Sequence, residues 1–261
     1  MAKVRLDALL TERGLFQSRS RAAASVLAGE VRLRGGEPAR KPGQLVADDI
    51  ELEVVAPPPF ASRGGIKLAN ALDATGVPVA GRRCLDVGAA TGGFTDCLLQ
   101  RGAEHVVAYD VAYGELHWRL RNDPRVTVRE RRNARDLRAD ELPYRPDLFV
   151  IDVSFISLTK VVPAVLAAAA PRYDCLALVK PQFEAGRERV GRGGVVRDAA
   201  VRREVLVSVA EAARDAGAAV LGFASSGLPG PKGNRETFVH LADGERGGVA
   251  DLEAAAREVE P

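Results

Sequence analysis

The sequence predicts an α/β protein in two parts: a small α+β module, then a doubly wound and mainly parallel sheet. Three observations carry this. Two short helical patterns and a few alternating strands come first, a proline run at Pro57-Pro58-Pro59 interrupts them, and β-branched runs alternating with helical stretches follow. Alternation of that kind builds a parallel sheet covered on both faces, because each helical crossover returns the chain to the same end of the sheet. A length of 261 residues holds one large domain and an appendage, and 46% hydrophobic against 28% charged residues is the balance of a globular chain with a substantial core.

In the module, Leu6 to Arg13 reads as a helix closed by Gly14. Ser18 is placed to cap a second helix that runs through Ser25 to Leu27 and stops at Gly29. Val31 and Leu33, and later Ile50, Leu52 and Val54, alternate with charged residues as half-buried strands do, separated by the Gly35-Gly36 and Pro42-Gly43 turns. The net charge of the whole chain is only +2, but Met1 to Lys41 carries nine Lys or Arg against four Asp or Glu. A polyanion is therefore expected at this module. The stiff prolines mark a boundary, giving a module over 1–56, a linker over 57–63 and a second domain over 64–261.

In the second domain the expected strands are Arg83–Val87, Val106–Val111, Val126–Glu130, Leu148–Val153, Leu176–Lys180, Ala219–Ala224 and a last one at Thr237–Leu241. Helical stretches lie between most of them, at Gly92–Gln100, Leu116–Arg121, Thr159–Ala170 and Ala199–Ala216, and a polar helix follows Gly247. Cys84, Cys97 and Cys175 form neither a disulfide framework nor a C-x-x-C zinc site, and His105, His117 and His240 share no ligand spacing, so no metal is expected. Cys84 and Cys175 read as small buried hydrophobes, and Trp118 as a core aromatic of its helix. The first residues lack the apolar segment of a secretory signal, and the longest apolar run, Val161 to Pro171, is too short for a bilayer. A cytoplasmic protein with no membrane role is expected.

Asp86-Val-Gly-Ala-Ala-Thr-Gly-Gly-Phe ends the first strand of the large domain, and Asp110 closes the next one. In a doubly wound sheet such glycines let the backbone approach a ligand at the strand's carboxyl end, while an acid after the second strand accepts ribose hydroxyls. Gly88, Gly92 and Gly93 do not make G-x-G-x-x-G, which argues against a dinucleotide, and an acid two before Gly88 suits a cationic sulfonium ligand. Four further polar residues stand where a sheet core prefers apolar ones: Lys67, Asp152, Lys180 and Glu236. A ribose 2′-hydroxyl is a poor nucleophile and needs a base or strong polarisation in line with the methyl it attacks. Two lysines held by two acids are a sensible set for that chemistry.

These residues belong to ordered motifs: Arg5-Leu-Asp-x-x-Leu-x-x-Arg13-Gly-Leu-x-x-Ser18-Arg19, Ser62-Arg-Gly-Gly-x-Lys67-Leu, Asp86-Val-Gly-x-x-Thr-Gly-Gly-Phe-Thr-Asp96, Asp152-Val-Ser-Phe-Ile-Ser, Lys180-Pro-Gln-Phe-Glu184 and Gly191-x-Gly-Gly-Val-Val-Arg-Asp198. In them the chain resembles the TlyA family of ribosomal RNA 2′-O-methyltransferases, over nearly its whole length. The resemblance implies an S-four-like RNA-binding domain followed by a Rossmann-like, FtsJ-type class I methyltransferase domain that uses S-adenosyl-L-methionine (AdoMet). The implied substrate is a cytidine ribose in ribosomal RNA or a ribosomal subunit.

The resemblance also implies residue roles. Lys67, Asp152, Lys180 and Glu236 would form a catalytic tetrad with Lys180 as the activator. The methionine end of AdoMet would meet Asp86, Gly88, Ala89, Ala90, Thr91, Gly92, Phe94 and Asp152, its ribose Asp110, and its adenine Asn133 and Ala134. Ala89 and Ala90 stand where many relatives carry hydroxyl residues, which affects a side-chain hydrogen bond but not the backbone cradle. Arg5, Arg13, Arg19, Arg21, Arg32 and Arg34 in the module, with Arg63, Arg187 and Arg189 beyond it, are the expected RNA contacts. The competing reading is a non-catalytic RNA-binding or ribosome-assembly protein. Members of the family have been called haemolysins, but this chain has no long apolar segment or basic amphipathic helix of the kind a pore would use.

Overall fold

The structure, a computed structural model, describes residues 3–55, 59–230 and 232–260. The chain forms two compact units, Met1–Pro59 and Phe60–Pro261. Pro57 and Pro58 of the expected linker lie outside the described residues.

The first unit runs β1 (Lys3–Arg5), α1 (Leu6–Glu12), α2 (Arg19–Leu27), β2 (Val31–Leu33), β3 (Glu37–Pro38), β4 (Leu45–Ala47) and β5 (Leu52–Val54). Ser18 caps α2 as its position suggests, its Oγ accepting from the Arg21 amide at 3.2 Å. β1 pairs antiparallel with β4, and β2 lies between β3 and β5. Leu6, Leu9, Leu10, Ala22, Val26, Val31 and Val46 close a small core between helices and strands. β1, β3 and β4, two or three residues each, were not expected from the sequence, whereas β2 and β5 were.

The second unit begins with α3 (Arg63–Thr75), followed by β6 (Arg83–Val87), α4 (Gly93–Gln100), β7 (His105–Tyr109), α5 (Trp118–Arg121) and β8 (Val126–Arg129). Then come β9 (Leu148–Ile151), α6 (Val162–Ala167), β10 (Asp174–Val179), α7 (Pro181–Glu184), α8 (Ala199–Asp215), β11 (Ala218–Ser225), β12 (Thr237–Asp243) and α9 (Leu252–Val259). The sheet order is β11-β12-β10-β9-β6-β7-β8, with β12 antiparallel to both neighbours and the pairs from β10 to β8 parallel. One buried cluster joins the sheet to α6, α8 and α9, and a second joins its other face to α3 and α4. The result is the expected three-layer, doubly wound arrangement.

Chain order reverses between β6 and β9: β7 and β8 continue outward on one side of β6, β10 on the other. Ligands of open α/β sheets bind outside the carboxyl ends of the strands at such a reversal. Trp118 corrects the core assignment: it is 68% exposed, because α5 is a single turn that buries only Leu120. Cys84, Cys97 and Cys175 are buried and free, and burial pushes all three thiols up, so they pack as apolar side chains.

Candidate active site

Strand register sets the functional residues in one row. Val87 of β6 pairs with Ile151 of β9, so Gly88 and Asp152 leave the sheet side by side. Val179 of β10 pairs with Thr237 of β12, so Lys180 and Glu236 flank the next gap. Asp110 follows β7 on the other side of Gly88. The carboxyl edge thus reads Glu236, Lys180, Asp152, Gly88, Asp110 across five adjacent strands. Lys67 arrives from α3 and ion-pairs with Glu236, while Lys180 Nζ lies 2.5 Å from Asp152 Oδ1 and donates to Ser154 Oγ at 2.9 Å. The four tetrad residues are therefore two lysine–carboxylate pairs, one buried (Lys67–Glu236) and one at the floor of an open cleft.

Local sequence explains how Lys67 gets there. Ser62 caps α3 through the Gly64 amide, and Gly76 ends the helix with φ +69°. Gly65 is required by close packing, since a Cβ there would meet the Gly93 carbonyl of α4 at 2.7 Å. The two helix starts cross at a distance only glycine permits. Asp96 of α4 accepts from the Ala61 amide at 2.8 Å, and Asn70 Nδ2 donates to the Ser226 carbonyl at 2.9 Å. Both bonds fix α3 so that Lys67 faces the start of β12. Asn234 holds that start in turn, accepting from the Val196 amide and donating to the Gly194 carbonyl.

A cavity of about 1000 Å³ opens at the β6–β9 reversal, lined by Gly88, Ala90, Asp110, Asn133, Ala134 and Asp152 among others. Gly88 has φ +87°, and a side chain there would collide with the Asp152 carbonyl. Asp110 accepts from the Ala90 and Ala112 amides at 2.7 Å each, one bond per oxygen, which leaves lone pairs on both for a ligand. Ala90 itself takes φ +44°, the uncommon left-handed region, to present that amide. The Asn133 Oδ1 caps the turn at Ala134–Asp136 by accepting from the Arg135 amide, and the Asn133 carbonyl accepts from the Tyr109 hydroxyl at 3.4 Å.

Other expected cofactor residues stand back from the cavity wall. Phe94 is buried against Phe238, with ring centroids 5.8 Å apart, and Asp86 is fully buried with its Oδ2 accepting from the Thr95 hydroxyl at 2.6 Å. Thr91 and Gly92 shape the turn into α4, the Thr91 carbonyl accepting from the His117 amide, and Ala89 is buried in the same turn. Three groups at the site escaped sequence reasoning. Ser154 holds Lys180, Gln182 lines the cavity with a buried Oε1 that has no partner, and Phe155 is 92% exposed at φ +63° with its ring 5.1 Å from that of Phe183. All three lie within quoted motifs, so motif membership was their only signal.

The expected RNA contacts separate into groups. Arg13 spans its unit and donates to the Ile50 and Asp48 carbonyls at 2.6 and 2.5 Å, which makes it a clasp of the fold. Arg5 and Arg19 both bind Asp7, whose carboxyl is held below the usual range chiefly by the Arg5 hydrogen bond. Arg32 donates to the Gly36 carbonyl at 3.4 Å, whereas Arg21 and Arg34 are exposed with no side-chain partner among the described residues. In the second unit Arg63 touches the Pro229 carbonyl, Arg187 lines the cavity, and Arg189 is held by Ala185 and Glu204.

The site accommodates AdoMet on its own geometry: a glycine cradle closed to any side chain, and an acid with free lone pairs three strands along the same edge from Lys180. Among the described residues no group of His, Cys, Asp and Glu is arranged to hold a metal, and no helix is long and apolar enough to cross a membrane. Residues 60–243 match the family described as FtsJ-like methyltransferase. Over 241 residues the chain is 52% identical to the 16S/23S rRNA (cytidine-2′-O)-methyltransferase TlyA of Mycobacterium tuberculosis, covering 92% of this chain and 90% of that one. Hemolysin A of Brachyspira hyodysenteriae is 39% identical, over 91% of this chain and 99% of its own. A solved structure from Streptococcus thermophilus aligns with a TM-score of 0.74 at 38% identity, covering 99% of this chain and 96% of that one. With the glycine cradle, the paired lysines and these similarities together, the chain belongs to the FtsJ-like methyltransferase family, and within it to the TlyA group.

Proposed function

We propose that this methyltransferase acts on the 2′-hydroxyl of a cytidine in ribosomal RNA, as part of a ribosomal subunit or as the free strand, in the cytoplasm, and that the first unit grips the RNA. The carrying observation is the row of Asp110, Gly88, Asp152, Lys180 and Glu236 along one sheet edge, with both lysines paired to carboxylates. Bound AdoMet supplies an electrophilic methyl on a positively charged sulfur. Asp110 and the backbone around Ala134 would hold its ribose and adenine, and the Gly88 turn its methionine end.

Lys180 is the group that polarises the ribose hydroxyl, and acting as the neutral amine its Nζ takes up the hydroxyl proton as the oxygen takes the methyl. Asp152 and Ser154 fix the Nζ from two sides, so the hydroxyl meets it in one orientation. The Lys67–Glu236 pair stands on the neighbouring strand and braces the far side of the acceptor site. Phe155 offers an exposed ring at the cavity mouth, on which an unstacked base can lie. Arg21 and Arg34, whose side chains have no partner among the described residues, are cations of the module available for phosphate.

Labelled methyl transfer to isolated small and large subunits and to naked ribosomal RNA, followed by nucleoside digestion, tests this reading. Label on a cytidine ribose is expected, and Lys180→Ala should abolish it while RNA affinity stays within a few-fold. Label on a base, or none on any RNA by a protein that binds AdoMet, would overturn it.

A further inference from the structure

Two motifs of the sequence meet side by side at the Lys180 end of the cavity. Asp152-Val-Ser-Phe-Ile-Ser leaves β9, and Lys180-Pro-Gln-Phe-Glu184 leaves β10, its neighbour in the sheet. The ladder between these strands ends at Ile151 and Ala177. Beyond it the segments are joined through side chains, almost residue for residue. Lys180 reaches Asp152 and Ser154, the Phe183 ring lies 5.1 Å from that of Phe155, and Glu184 reaches Ser157 and Leu158. The first contact holds the activating lysine and the second the exposed ring. Glu184 does not line the cavity, and the reaction as described leaves it without a role.

Both oxygens of Glu184 are spent on this contact. Oε2 accepts from the Ser157 hydroxyl at 2.6 Å and Oε1 from the Leu158 amide at 2.8 Å. Ser157 in turn caps the short turn Leu158–Lys160, its Oγ accepting from the Thr159 amide at 3.1 Å. Hydrogen bonds to a charged acceptor are roughly twice as strong as neutral ones, so the carboxylate is a firm anchor for the loop. The loop needs one. Phe155, two residues before Ser157, sits at φ +63° with its ring 92% exposed. A left-handed backbone at a bulky residue persists only where the chain on both sides fixes it. Upstream, β9 and the Ser154–Lys180 bond do so; downstream, Glu184 does.

We propose that Glu184 is a positioning residue for methyl transfer: by clasping the loop after β9 to the turn after β10, it keeps Ser154 against Lys180 and Phe155 in its strained conformation. This rests on the reading of Lys180 as the activating group. Without the clasp the loop relaxes, Lys180 loses one of its two restraints, and the acceptor hydroxyl no longer meets it in a single orientation. The cofactor end of the cavity, at Gly88, Asp110 and Asn133, is built from other strand ends and keeps its shape.

Steady-state methyl transfer by the full chain, with AdoMet affinity measured by calorimetry, tests this on three variants. Glu184→Ala should lower kcat about 10–100-fold and leave AdoMet affinity unchanged. Glu184→Gln should recover most of the rate, since its carbonyl still serves the Leu158 amide and its NH2 donates to Ser157, whose own hydrogen turns to Thr159 Oγ1 at 2.7 Å. Ser157→Ala removes one of the two bonds and should show a smaller loss of kcat, which keeps the test open should Glu184→Ala fail to fold. A group that merely supported the fold would lower Tm and leave the kcat of the folded protein intact. Unchanged kcat in Glu184→Ala or in Ser157→Ala, a Glu184→Gln protein as slow as Glu184→Ala, or a loss of AdoMet affinity that accounts for the loss of rate would overturn the proposal without touching the reading of Lys180. Ribose methylation that survives Lys180→Ala would overturn that reading and this inference with it.

Discussion

Removing Lys67 separates a structural charge pair from a catalytic one. The Glu236 side chain is 1% exposed and that of Lys67 10%, so the pair is almost wholly removed from water. Lys67→Met keeps the stem's bulk but strands the carboxylate, and breaking one side of a buried pair costs about 3–5 kcal/mol. For a unit of this size that corresponds to a fall in Tm on the order of 10 °C. Glu236→Gln should cost less, because a lysine stem can turn its ammonium toward water. The double variant Lys67→Met/Glu236→Gln should recover most of the lost stability, since no charge is left unpaired, and still transfer no methyl. Thermal unfolding of the four proteins gives the coupling directly, and labelled transfer gives the activity. A Lys67→Met protein as stable as the double variant would refute the buried-pair reasoning, and a double variant that methylates would reduce the pair to a structural role.

Three other outcomes are expected. Gly88→Ala combines a positive φ with a collision against the Asp152 carbonyl, so AdoMet binding measured by calorimetry should be lost and Tm lowered. At the opposite edge of the sheet, burial raises the Asp174 carboxyl but hydrogen bonds from His240 and Arg246 outweigh it and hold it at about 2. A depressed carboxyl stabilises the fold above its ordinary value near 4 and loses that contribution as pH falls through about 2; unfolding measured across this window should show the loss, and Asp174→Asn should remove it. In the first unit, Arg21→Ala with Arg34→Ala should weaken RNA binding and reduce its log-log salt slope by about two, whereas Arg13→Ala should lower the unit's stability and leave the slope of the folded protein unchanged.

Much of this protein is written locally. The caps at Ser18 and Gly14, the strand before Asp86 and the acid after β7 were all legible, because each depends on residues within a turn or two. The helix that delivers Lys67 was not read from its own residues, since Gly64 and Gly65 lower helix propensity and mask the Ser62 and Gly76 signals. Trp118 was misplaced in the core for a related reason: one turn of helix has no buried face wide enough to hold it. Arg13 counted toward a basic surface until its carbonyl partners, more than thirty residues away, were visible.

The sequence by itself determined the order of the strands of the large sheet, the glycine turn that accepts a cofactor, and the residue types the chemistry needs, because periodicity and turn chemistry are short-range properties of the chain. Only the tertiary structure decided which lysine meets which acid. Lys67 and Glu236 lie 169 positions apart, and their meeting depends on β12 inserting antiparallel beside β10 and on two glycines letting α3 approach α4. Whether Asp86 has a counter-charge was decided there too, since burial and the neighbouring strand ends set the cost of its ionised form.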